Sequence, residues 1–222
     1  MTTSHSSGVY LPRALSPYEQ IAAVARLKQL REAQVLQGVE GHRVDARNGV
    51  VVCACGDCDQ RRDYDTFLSN VIHERMHPIH LNGGALLIPP ASPLHFVFDD
   101  DGTPHAAGAV MRIQMRGSAE LKDIRNVALV AHVPCGAALE AEMCVDQTIE
   151  WLIKAKVDLR DRYRSLGYRF ACFLHVDWPK LGIGTKPSRT YFLSLRGATT
   201  WLARPPEPLI SHLFEEAPIF SG

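Results

Sequence analysis

At 222 residues, with 46% apolar and 22% charged side chains, the chain is long enough to bury one substantial core. Its 24 basic residues balance 24 acidic ones, which removes the electrostatic footprint of a nucleic-acid or anionic-membrane binder. No run approaches the ~20 apolar residues that span a bilayer, and the first residues lack the basic-then-apolar order of a secretion signal, so a cytoplasmic protein is expected.

The chain divides into an arm and helix over 1–40 and an α/β domain over 41–222. In chain order, the stretch from Ser16 predicts a helix, with Ser16 as N-cap, Pro17 in the first turn and Glu19 closing a capping box. Ile21, Val24, Leu27 and Leu30 recur at helical spacing on one face. The run 49–55 is continuously apolar, as a strand covered on both faces is. A helix over 63–76 and a strand over 78–90 cut by the Asn82-Gly83-Gly84 turn follow. Residues 95–117 suggest a hairpin turning at Asp101-Gly102, and a short helix capped by Ser118 then leads to a strand over 127–132. Residues 136–167 predict one long helix ending at Gly167, before two antiparallel strands at 168–178 and 189–197. The fold class is therefore α/β: a central, mostly parallel sheet flanked by helices and ending in an antiparallel hairpin.

Six cysteines stand at 53, 55, 58, 135, 144 and 172. In a chain kept reduced, clustered thiols point to metal binding or chemistry before disulfides. Two motifs end apolar strands: Cys55-Gly56-Asp57-Cys58-Asp59 and His132-Val133-Pro134-Cys135-Gly136. Ligands of open α/β sheets sit beyond the carboxyl ends of the strands, where both motifs fall. Cys55, His132 and Cys135 make a three-donor zinc set with a fourth position that Asp57 either occupies or leaves to water. Cys55-x-x-Cys58 with His132-x-x-Cys135 makes the rival set, a closed structural clip. A third reading has no metal at all. Cys53, Cys144 and Cys172 read as small core residues. His73, His77 and His80 span a helix end and a strand and read as surface or hydrogen-bonded histidines, and the acidic run at 99–101 as a solvated turn.

These motifs resemble the signature of the β-carbonic anhydrases, a strand ending in C-x-D-x-R followed by a later strand ending in H-x-x-C-G. The resemblance extends over about residues 16–196 and implies a zinc lyase of that fold with an N-terminal helical arm, residues 1–40 here, that serves oligomerisation. It implies reversible hydration of CO₂ to bicarbonate by zinc-bound hydroxide, with Cys55, His132 and Cys135 as ligands and Asp57 as the catalytic hydrogen-bond acceptor. It also implies a homodimer or higher homo-oligomer with a small-molecule substrate, CO₂/bicarbonate or a close analogue, and no nucleic-acid or membrane partner. Two departures stand out. Asp59 replaces the arginine that in the family pairs with the aspartate, and the interval from Cys55 to His132 is longer than usual, as an insertion around 95–117 would make it. Arg61, four residues after Asp57 and on the same face of any helix starting there, is the expected substitute, with Arg62 as second candidate. A closed, non-enzymatic zinc site with an assembly or regulatory role, and a hydrolase of CS₂ or COS, are the alternatives.

Overall fold

The computed structural model describes residues 13–39, 46, 48–72 and 75–204, except for the side chains of Cys58, Val71 and Ile72. The division expected at residue 40 lies outside the described residues. In chain order the elements are α1 (Pro17–Glu32), β1 (Leu36–Gln37), β2 (Val50–Ala54), α2 (Cys58–Ile72) and β3 (Met76–His80). Then come a short 3-10 turn (Gly84–Leu87), β4 (Val97–Phe98), β5 (Pro104–His105), α3 (Ala107–Lys122) and β6 (Asn126–Val133). The chain continues through α4 (Gly136–Glu140), α5 (Val145–Arg162), β7 (Arg169–Val176), β8 (Arg189–Leu193) and α6 (Leu195–Leu202).

The main sheet has the order β1-β8-β7-β6-β2-β3, with β3, β2, β6 and β7 parallel and β8 antiparallel to both β7 and β1. The expected α/β class is what the chain adopts. The inner parallel strands β2 and β6 are buried along nearly their whole length because both faces are covered, whereas the edge strand β3 is only half-buried. Val51, Cys53, Val127, Leu129 and Leu174 point toward α1, α3, α5 and the 3-10 turn, in the larger core. Val52, Ala54, Ala128, Val130 and Phe173 point toward α2, through Tyr64 and Leu68.

From β2 the chain runs outward through α2 to β3, then crosses back through α3 on the other face to β6. The strand order therefore reverses between β2 and β6, and a crevice opens there beyond their carboxyl ends. The register Val50↔Asn126 to Cys53↔Leu129, carried two residues on, sets Cys55 level with Ala131, one residue short of His132.

Six expected elements are corrected, two of them by shortening: the strand expected over 78–90 is β3 followed by the 3-10 turn, and the one expected over 189–197 gives way to α6 after Leu193. Helix α2 starts at Cys58, five residues early, because Asp57 caps it: its Oδ1 accepts the Asp59 N–H at 3.0 Å. The hairpin is confined to 97–105, and α3 takes the rest, since Gly108, Met111, Met115 and Ala119 form one buried face. Ser118 is accordingly inside α3 and caps nothing. The helix over 136–167 is two helices, parted by Glu142 at φ 53° and restarted at Cys144, whose N–H donates to Gln147 Oε1 at 2.8 Å. Cys144 is thus exposed and no core residue, whereas Cys53 and Cys172 are buried, which pushes both thiols up to about 12.

Helix α1 keeps its expected N-terminal box. It buries Leu27 and Leu30 in this chain's own core, and Arg26 grips Asp146 of α5 through Nε at 2.8 and 2.9 Å, leaving Tyr18 and Ile21 exposed on the outside. The acidic run is the solvated turn it was read as, with Asp99 accepting N–H groups of Asp101 and Thr103.

His175, on β7 beside His132, is 1% exposed and contacts Thr190 Oγ1 through Nδ1 at 2.9 Å. Burial, then the neighbouring His132 charge, lowers it from 6.5 to about 4. The unfolded chain therefore takes up a proton that the fold refuses. The stabilisation is complete above pH ~6.5 and fades as pH falls toward 4, by on the order of 3 kcal/mol. Urea unfolding of metal-free protein from pH 7 to 4 is expected to lose that share of its slope in His175→Phe.

Candidate metal centre

Cys55 leaves β2 directly, and His132 and Cys135 flank the Pro134 turn at the end of β6. One ligand atom from each, the two Sγ and an imidazole nitrogen, lie within 4.8 Å of one another, all three residues buried. Zinc at ~2.3 Å from sulfur and ~2.0 Å from nitrogen draws such donors to about 3.5–4 Å apart, a small adjustment here.

The protonation pattern suits a cation. His132 Nδ1 lies 2.8 Å from Pro134 O, and a carbonyl only accepts, so Nδ1 carries the proton. The Nε2 lone pair is left buried with no hydrogen-bond partner among the described residues. Cys55 is brought down to about 4 by the Cys135 S–H, which donates to it, against the effect of burial. Cys135 is held well above the ordinary range by that same bond and by burial. The shared proton favours the ionised form of Cys55, and a metal bound here would displace it.

The surroundings are built on backbone. Gly83 N–H donates to Cys55 Sγ at 3.3 Å, so the tight Asn82-Gly83-Gly84 turn touches a candidate ligand, while the cavity beside the centre is lined by other residues. Gly84, at φ 55°, packs so closely that a Cβ would stand 2.4 Å from Cys55 N. Tyr64 OH donates to Cys55 O, and Gln60 Nε2 donates to Pro134 O at 3.0 Å. A cavity of about 300 Å³ reaches His132 and Cys135 between Leu15, Ala23, Leu139 and Met143.

Not every expected residue arrives. Asp57 is beside the centre but spends an oxygen on capping α2, and the ion pair expected from it to Arg61 is not among those of the described residues. Arg61 is instead largely exposed, its Nε 3.7 Å from Asp65 Oδ2, because Gln60, Tyr64 and Leu68 take the inward face of α2 and Arg61 stands about 100° round the helix from Gln60. Arg62 is exposed as well. Cys58 opens α2, and its side chain lies outside the described residues. Of the three histidines read as surface groups, His73 is outside them too, His77 is half-buried, and His80 lies 3.8 Å from Asp65.

Sequence reasoning missed Lys180. Its Nζ reaches Asp59 Oδ2 at 3.0 Å, and its N–H donates to Asp177 Oδ1 at 3.1 Å. Burial would lower the ammonium, but the Asp59 hydrogen bond and the charges of Asp57, Asp59 and Asp177 outweigh it and hold it above its usual value. The one available signal was an aspartate directly after β7, at the strand end where ligands gather.

No family model matches the chain, and no curated protein does. Solved structures similar to it include the β-carbonic anhydrase CafD of the filamentous fungus Aspergillus fumigatus, wild type, at 12% identity and TM-score 0.37, covering 72% of this chain and 99% of that one. Two point mutants of CafD, one glutamate-to-alanine and one cysteine-to-alanine, stand at 11% identity with TM-scores of 0.39 and 0.40, covering 72% of this chain and 98% and 99% of theirs. Likeness at that level carries no chemistry over, so the reading below rests on this chain's residues. No helix among the described residues is long and apolar enough to cross a membrane.

Gly84→Ala is expected to cost at least about 2 kcal/mol, since both the positive φ and the contact with Cys55 forbid a side chain. Urea unfolding measures it, and an unchanged midpoint would refute the packing described.

Proposed function

We propose that this chain is a zinc-dependent lyase that hydrates CO₂ to bicarbonate reversibly. The observation that carries the reading is the buried His132 Nε2, without a hydrogen-bond partner among the described residues, in a cluster with the sulfurs of Cys55 and Cys135. Two sulfurs and an imidazole are the donors zinc prefers, and three protein ligands leave one position for chemistry. Zinc held there supplies the Lewis acidity that brings a water's pKa from 15.7 to about 7.

The chain's own residues do the rest. Pro134 O fixes the His132 tautomer, and Gly83 N–H steadies the Cys55 sulfur. The apolar wall of Leu15, Ala23, Leu139 and Met143 suits a small nonpolar electrophile. Asp57 is proposed as the acceptor that orients the attacking water. Lys180 takes the place first assigned to Arg61, as the cation whose field keeps the carboxylate from closing on the metal. A homodimer or higher assembly is proposed too, with Tyr18 and Ile21 on the free side of α1 as its contact.

A second reading, a closed zinc site without turnover, is supported by Asp59 standing where a cation would hold Asp57 directly. Elemental analysis should find one zinc per chain, largely lost in Cys135→Ser, and stopped-flow should record CO₂ hydration near pH 8. Zinc with no hydration favours the closed site. Full zinc in Cys135→Ser refutes the ligand set.

A further inference from the structure

Helix α2 carries two buried polar side chains one turn apart, Gln60 and Tyr64, at 1% and 0% exposure. They stand on the helix face that packs on the sheet, with Leu68 a further turn along. Neither bonds to another side chain. Each spends its donor on a backbone carbonyl, and both carbonyls belong to the ligand-bearing turns. Tyr64 OH donates to the carbonyl of Cys55 itself. Gln60 Nε2 donates at 3.0 Å to Pro134 O, the same oxygen that accepts His132 Nδ1–H at 2.8 Å.

The two carbonyls lie on different strands. Cys55 follows β2, and Pro134 follows β6, and nearly eighty residues of sequence separate them. The ladder between β2 and β6 ends at Cys53↔Leu129, so the last residues of each turn are not held to one another by strand pairing. One rigid helix holding both ends does what the ladder no longer does.

We infer that α2 is a two-point clamp that sets the separation of Cys55 from the His132–Cys135 pair, with Tyr64 and Gln60 as positioning residues for the metal centre. The donor roles are secure. The Cys55 carbonyl only accepts, so the Tyr64 hydroxyl donates. A carbonyl partner requires the Gln60 amide nitrogen to face it. Groups that orient metal ligands in this way change affinity about 10–100-fold when removed, because an unheld ligand must be ordered on binding. The clamp rests on the zinc reading above, but it concerns metal affinity and not turnover.

Zinc and cobalt(II) affinities of the full chain, by chelator competition, test it. Wild type must first bind either ion; if it does not, the zinc reading fails and the clamp with it. Given binding, Tyr64→Phe, which removes one oxygen from a site shaped for the ring, is expected to weaken both ions about 10-fold or more, and Gln60→Leu likewise. The cobalt(II) visible bands should shift in both variants, as the ligand geometry loosens. Leu68→Ala is the control: it takes packing from the same helix face without touching either carbonyl, and should lower the urea midpoint while affinity and bands stay within twofold of wild type. Affinity unchanged in Tyr64→Phe and Gln60→Leu, with wild type binding normally, overturns the clamp. So does Leu68→Ala weakening the metal as much as they do, since that would make the effect one of general stability.

Discussion

The carbonyl of Pro134 is the point on which the candidate centre turns. A backbone oxygen has two lone pairs, and here one takes the His132 Nδ1–H and the other the Gln60 amide. The first bond leaves Nε2 as a bare acceptor, buried and unpaired among the described residues. An isolated polar atom of that kind costs roughly 1–3 kcal/mol in a core unless something satisfies it, and between two cysteine sulfurs the partner that fits is a soft cation. The second bond ties the same turn to α2, whose next inward polar residue holds the carbonyl of Cys55.

That arrangement depends on topology. Strands β2 and β6 are neighbours only because the chain reverses its strand order between them, through α2 on one face and α3 on the other. Parallel pairing then brings two motifs, far apart in sequence, to the same edge. Gly84 is part of this fit: its missing side chain lets the turn after β3 close onto Cys55 and aim the Gly83 N–H at the sulfur.

The acidic neighbourhood is what sets this chain apart. Asp57, Asp59 and Asp177 converge near the strand ends, and Lys180 answers them from the segment after β7. Its reach is to Asp59 and to the backbone-linked Asp177, so it acts on Asp57 through the field and not by contact. An ammonium at that range is a softer restraint than a planar guanidinium bonded to the carboxylate itself. On the proposed reading, the fourth metal position would therefore hang on a balance between helix capping and a distant cation.

The candidate donors were legible in the sequence because two apolar strands each stop abruptly at thiol and imidazole, and strand ends of an α/β sheet are where ligands gather. The fold class was legible for a similar reason, since continuous apolar runs of strand length alternate with helical ones. The start of α2 was not, because Asp57 reads as a site residue and only the folded chain shows it capping a helix. With that start misplaced, Gln60 and Tyr64 could not be seen to share an inward face, nor Arg61 to point away from it. Helix α3 was hidden because Gly108, Met111, Met115 and Ala119 gain their meaning from the core they meet. Lys180 lies 121 residues from its partner, and no local pattern relates them. Local chemistry and periodicity thus determined which residues can bind and which segments can be strands. Which of them meet, and which cation faces which carboxylate, was decided by the strand order and the packing of α2, because those contacts exist only between parts of the chain that sequence keeps apart.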